Sequence, residues 1–167
     1  MRKHLSGASA TLALILGTAG GCGAAPTSSA ASAAASPASS CVNANAPHHA
    51  YVVVQHLSGA SIQKCVGFSA DTIDGSTLMD DSKIEFQTQT SSFGLGMCQL
   101  DNEPRSYTQC LPSTGPYWSE WVEVGGAWSM AQTDYAHVTL HDNEGLGWRF
   151  EDQSDPSPAP PPPAKET

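Results

Sequence analysis

Cysteine is the residue type in this 167-residue chain best suited to covalent chemistry, and there are five: Cys22, Cys41, Cys65, Cys98 and Cys110. Cys22 lies in a run of small residues near the start, which leaves an even set of four. In an oxidising compartment an even set reads as two disulfides. Four cysteines allow three pairings. Cys98 with Cys110 would close a small loop across a turn, and Cys41 with Cys65 would pin the preceding segment to the edge of a domain. Loops of such lengths contribute roughly 3 kcal/mol each by restricting the unfolded chain. Zinc is the competing use of these side chains, but no Cys-x-x-Cys spacing is present.

The histidines come next. His48, His49 and His56 flank a β-branched run, while His137 and His141 stand four apart in a segment that reads as a strand, where that spacing puts both on one side. Asp142 beside them is a further donor. Imidazoles on a solvated strand give the same pattern and no helical His-x-x-x-His motif is present, so no metal is assigned. Catalysis would need a nucleophile with a base, a carboxylate pair in contrasting surroundings, or a phosphate loop. None is visible. Phe93-Gly94-Leu95-Gly96 has the glycines of such a loop without its strand-to-helix context. The chain reads as non-enzymatic, with no catalytic residue and no resident cofactor.

Aromatic side chains are concentrated late in the sequence, at Tyr117, Trp118, Trp121, Trp128 and Trp148. In a strand over 117–124, alternation sends Trp118, Val122 and Val124 to one face and Tyr117, Ser119, Trp121 and Glu123 to the other. The first set reads as core. The polar neighbours of Trp121 predict a partly exposed ring, which would serve either to cover a sheet edge or to form a platform for a flat ligand, a sugar or a partner protein. All five aromatics are candidate ligand-binding residues.

The elements that must position these groups are bounded by two distinctive ends. Met1-Arg2-Lys3-His4 followed by the apolar stretch to Ala19 reads as a secretory signal, too short to span a membrane. Ala19-Gly20-Gly21-Cys22 has the form of a bacterial lipobox, in which the cysteine becomes an acylated first residue, although alanine replaces the usual leucine and cleavage after Ala25 is the alternative. Residues 23–40 are almost wholly Ala, Ser, Gly, Thr and Pro, a composition that cannot form a core and suits a flexible tether. The prolines from Pro156 to Pro163 read as a polyproline II tail, solvated or offered to a proline-reading partner. The expected organisation is therefore a signal peptide over 1–21, anchor and tether over 22–46, a domain over 47–153 and a disordered tail over 154–167. Localisation is expected to be extracytoplasmic, on a membrane through Cys22 or otherwise secreted.

Between His48 and Gln153 stand four basic residues, Lys64, Lys83, Arg105 and Arg149, against fourteen acidic ones. That balance excludes nucleic acid as a natural partner. Tyr51-Val52-Val53-Val54 and Ile62 to Phe68, separated by Ser58-Gly59, read as a hairpin. Asp74-Gly75-Ser76 supplies a helix start, with Leu78 and Met79 on the apolar face. Lys83 to Thr88 alternates as a strand with Ile84 and Phe86 on one side, and further strands are expected at 97–100, 117–124, 127–130, 137–141 and 148–150. The fold class is α+β: a mainly antiparallel sheet with one short helix.

Five segments in this order, Cys65-Val66-Gly67-Phe68, Asp74-Gly75-Ser76-Thr77-Leu78-Met79, Met97-Cys98-Gln99-Leu100, Tyr117-Trp118-Ser119-Glu120-Trp121 and Gly147-Trp148-Arg149-Phe150, give the chain from Tyr51 to Phe150 a resemblance. It resembles bacterial secreted or lipoprotein domains similar to the C-terminal domain of transcobalamin. The resemblance implies a β-grasp-like fold and a non-catalytic module that holds a corrinoid or another flat ligand, or supports a transporter that does. In the carriers this domain closes on a large helical partner, which this chain lacks, so the ligand does not follow from the fold. The alternative implied by the aromatic face is an adaptor or structural module of the envelope.

Overall fold

The computed structural model describes residues 41–92, 94–155 and 158–164. The signal segment, Cys22 and the tether up to residue 40 lie outside the described residues. The β-branched run forms β1 (His48–Gln55), which the Ser58-Gly59 turn returns as β2 (Ser61–Phe68) in an antiparallel hairpin. After the short β3 (Ile73–Asp74), Asp74 caps α1 (Gly75–Ser82). Its carboxylate accepts the Thr77 amide at 2.9 Å and the Thr77 hydroxyl at 2.8 Å. Those bonds hold the Asp74 carboxyl below its ordinary range.

Lys83 ends the helix in the left-handed conformation, at φ 58°. The strand expected from Lys83 consequently begins later, as β4 (Phe86–Ser91), although Ile84 is buried as its apolar character requires. β4 pairs with β5 (Gly94–Leu100) in a separate two-stranded ribbon. β6 (Pro116–Val124) turns through Gly125 and Gly126, at φ 60° and 79°, into β7 (Ala127–Met130). Positive φ at both central residues is what the tightest hairpins require. The strand expected at 137–141 is replaced by a 3-10 turn, Tyr135–His137, followed by the two-residue β8 (Thr139–Leu140). The cause is local: Asp134 caps the turn by accepting the Ala136 amide at 3.1 Å. The chain then closes with β9 (Gly145–Asp152).

The main sheet has the order β2-β1-β9-β6-β7. Its central pair, β1 and β9, is parallel and every other pair is antiparallel, which makes the sheet mixed and β-grasp-like. One face is the core. Val52 and Val54 of β1, Leu146, Trp148 and Phe150 of β9 and Trp118 of β6 pack there with Leu78 and Met79 of α1. Both expected disulfides are present, Cys41–Cys65 across 24 positions and Cys98–Cys110 across 12. They fit an oxidising, extracytoplasmic compartment. Among the described residues no helix is long and apolar enough to cross a membrane.

Candidate functional site

Strand alternation separates the five candidate aromatics. Trp118 and Trp148 belong to the core face, with 5% and 1% of their surfaces exposed. Their rings continue into aromatic contacts, Trp118 with Phe150 at 4.8 Å between centroids and Trp148 edge-on to Tyr135 at 5.9 Å. Tyr117, Trp121 and Trp128 take the outer face, Trp128 lying opposite Glu123 in the β6–β7 ladder. The five do not form one surface.

Trp121 corrects an expectation, because it is 7% exposed where its polar neighbours predicted an open ring. One of those neighbours, Ser119, serves the indole instead of solvent. Trp121 Nε1 donates to Ser119 Oγ at 3.0 Å, and Ser119 Oγ donates to the Arg149 carbonyl at 3.2 Å. Residues 158–164 correct the reading of the tail as a disordered extension. Pro161 is fully buried, Arg149 Nη1 donates to the Ala159 carbonyl at 3.1 Å, and the Ala164 amide donates to Glu123 Oε2 at 3.2 Å. Proline composition reads alike in solvent or docked on a sheet, so the sequence carried no signal for this.

Where β6 enters the sheet, the loop stapled by Cys98–Cys110 stands off and leaves a cleft of about 410 Å³. Its walls include Tyr107, Tyr117, Trp118 and Phe150, together with Pro104 and Pro112. The volume falls within the range that holds small ligands. Several polar contacts fix this loop. Gln99 Nε2 donates to the Pro104 carbonyl at 2.6 Å, and the Tyr107 hydroxyl donates to Gln87 Oε1, also at 2.6 Å. Trp118 Nε1 donates to the Glu103 carbonyl at 3.1 Å. His56, which follows β1, spans two acids of the same turn, with Nδ1 at 2.7 Å from Glu103 and Nε2 at 3.0 Å from Asp101. Its imidazole thus braces the first hairpin against the cleft wall. Tyr117 and Trp118 are the two candidates the cleft brings together, while Tyr107 and Phe150 were not singled out from the sequence.

The histidines do not converge. His137 sits in the 3-10 turn, its Nδ1 2.9 Å from Asp134, and His141 follows β8 with its amide donating to Glu144. Among the described residues no group of three or more His, Cys, Asp or Glu is placed to hold a metal ion.

One half-buried acid was not anticipated. Glu120 lies on β6 opposite Trp148, and burial pushes its carboxyl up to about 8, helped by the negative charge of Asp134 and opposed by the Tyr135 amide. Its Oε1 and the Trp148 Nε1 are both buried without a hydrogen-bond partner. Asp134 itself is held low: burial opposes this, but bonds from His137 and the Leu95 and Ala136 amides prevail. Because the Glu120 pKa is higher folded than unfolded, its contribution is fully present below about 4.5 and is lost as pH rises through about 8. Glu120→Gln, neutral at every pH, should raise Tm at pH 9 by roughly 5 °C and change it by no more than about 1 °C at pH 4. Thermal melts at the two pH values decide this, and an equal shift at both would contradict the assignment.

The chain matches no protein-family model and no curated protein. Among solved structures it is similar to one described as a "putative metal binding protein" from Ruminococcus gnavus ATCC 29149. The two share 16% identity over 63% of this chain and 97% of the other, with a TM-score of 0.47.

Proposed function

We propose that this chain is an exported envelope protein, anchored through an acylated Cys22, whose domain binds a small flat ligand without transforming it. The observation that carries this reading is the cleft beside the Cys98–Cys110 loop. It has the volume of a ligand site, aromatic walls from Tyr107, Tyr117, Trp118 and Phe150, and a rim fixed by a disulfide and side-chain hydrogen bonds. Rings stacked in such a space favour a planar apolar ligand with polar edges. The segment resemblance to the cobalamin carriers makes a corrinoid the first ligand to test, entering by one edge of its ring.

The test titrates the purified chain with cobalamin and follows tryptophan emission, since Trp118 lines the cleft. Saturable quenching at micromolar ligand, weakened at least about tenfold by Tyr107→Ala, is expected, a loss equal to about 1.4 kcal/mol. Tyr107 is 39% exposed, so its removal should leave the fold intact. No change at high micromolar cobalamin removes the corrinoid version and leaves other planar ligands to be screened. For the anchor, Cys22→Ala should move the protein from the membrane fraction to the soluble fraction, because stable attachment needs its acyl chains. A variant that stays with the membrane sinks that part of the reading.

A further inference from the structure

The outer face of the main sheet is independent of the cleft and has the makings of a peptide site. Gly145 and Gly147 of β9 leave the middle of this face without side chains. Around them stand Val53 of β1, paired with Gly147, and Trp121 of β6, paired with it from the other side. The Trp128 ring reaches over both glycines. A Cβ on Gly147 would meet Trp128 Cζ3 at 2.5 Å and Pro161 Cγ at 2.7 Å, so this glycine is required for space. An aromatic ring bordering a trough that seats a proline is the arrangement by which proline-rich segments are read.

We propose that this face is a polyproline-reading site for a proline-rich segment of a partner protein, and that residues 158–164 are its resident occupant in cis. The contacts to the resident segment depend little on its sequence. Arg149 reads the carbonyl of Ala159 and Glu123 reads the amide of Ala164, both backbone groups, while Pro161 shares the space over Gly147 with the Trp128 ring. Any polyproline II segment of that length presents the same groups provided a residue other than proline supplies the amide, the two groups lying roughly 16 Å apart at about 3.1 Å per residue. The resident segment is also an incomplete ligand, because Trp128 Nε1 is buried and has no acceptor. A partner segment that places a carbonyl there competes with advantage. The short connection from β9 keeps the tail at an effective concentration of about millimolar, so it masks the site from weak ligands and yields to stronger ones.

The test uses the full chain and one in which Pro160, Pro161, Pro162 and Pro163 are all replaced by serine, with a decaproline peptide ending in Ala-Ala, whose amides can reach Glu123, as the probe in calorimetry. The substituted chain should bind decaproline at least about tenfold more tightly than the unaltered chain. Trp128→Ala in the substituted background should remove that gain. Should Trp128→Ala disturb the near-ultraviolet circular dichroism, Arg149→Ala in the same background serves in its place, with the same loss expected. Equal binding by the two chains, with native circular dichroism, overturns the proposal. So does concentration-dependent dimerisation of the unaltered chain that the serines abolish without any decaproline binding, since the occupant would then be a second copy.

Discussion

Trp148→Ala should cost the domain about 4 kcal/mol, the largest effect expected of any single side chain here. Trp148 is 1% exposed on β9, the central strand, with Val54 beside it in β1 and Glu120 beside it in β6. No neighbour can collapse into its volume without breaking the sheet register, so most of the cavity should persist. A domain of this size has about 5–15 kcal/mol of total stability, and such a loss would bring it near unfolding. Trp148→Phe should cost less than half as much, since a ring remains and the unpaired Nε1 is removed. Denaturant titration of the three proteins measures both changes. A loss below about 1 kcal/mol for the alanine variant would mean that the space is filled by rearrangement, which the packing argument forbids.

Removing the Cys41–Cys65 bridge by serine at both positions should cost roughly 3 kcal/mol, slightly more than removing Cys98–Cys110, because it closes 24 positions instead of 12. The two losses differ in kind. Cys41–Cys65 holds the strand-like contact of Val42 with Val66, whose amide and carbonyl bonds extend the sheet edge beyond β2. Its loss should destabilise the domain while leaving cobalamin titration of the folded fraction unchanged. Loss of Cys98–Cys110 frees a wall of the cleft and should weaken ligand binding as well as stability. Urea unfolding paired with the fluorescence titration separates these outcomes, and a Cys41–Cys65 variant as stable as the unaltered chain would refute the first.

Local features of the fold were legible because short-range physics decides them. Asp74 followed by Gly75 and Thr77 is a helix cap in any context, Gly125-Gly126 is a hairpin turn, and the alternation of β6 sent Trp118 inward as expected. What misled were positions where distant chain changes the surroundings. Ser119 and Glu123 looked solvated, yet Ser119 serves the Trp121 indole and Glu123 receives the amide of Ala164 from 41 positions away. His137 and His141 had strand spacing, but the Asp134 cap places His137 in a 3-10 turn, and the strand between them is only Thr139–Leu140. The parallel pairing of β1 with β9 joins the first strand to the last, and no local pattern encodes it. The cleft was half visible: Tyr117 and Trp118 were singled out, but Tyr107 gains its place only because the Cys98–Cys110 loop stands away from the sheet.

The parallel pairing at the centre of the sheet also bears on how the domain resists force. His48 begins β1 and Asp152 ends β9, and because the two strands run the same way, these points lie at opposite ends of their shared ladder. Tension applied through the two flanking segments would slide the strands lengthwise, loading all their hydrogen bonds together instead of peeling them one by one. Because the bridge from Cys41 to Cys65 encloses β1 in a covalent loop, tension from the N-terminal side enters at Cys65, opposite Tyr51, and draws the β1–β2 hairpin against β9 as one unit. Under the membrane anchoring and partner capture proposed above, the domain would behave as a shear-loaded mechanical clamp.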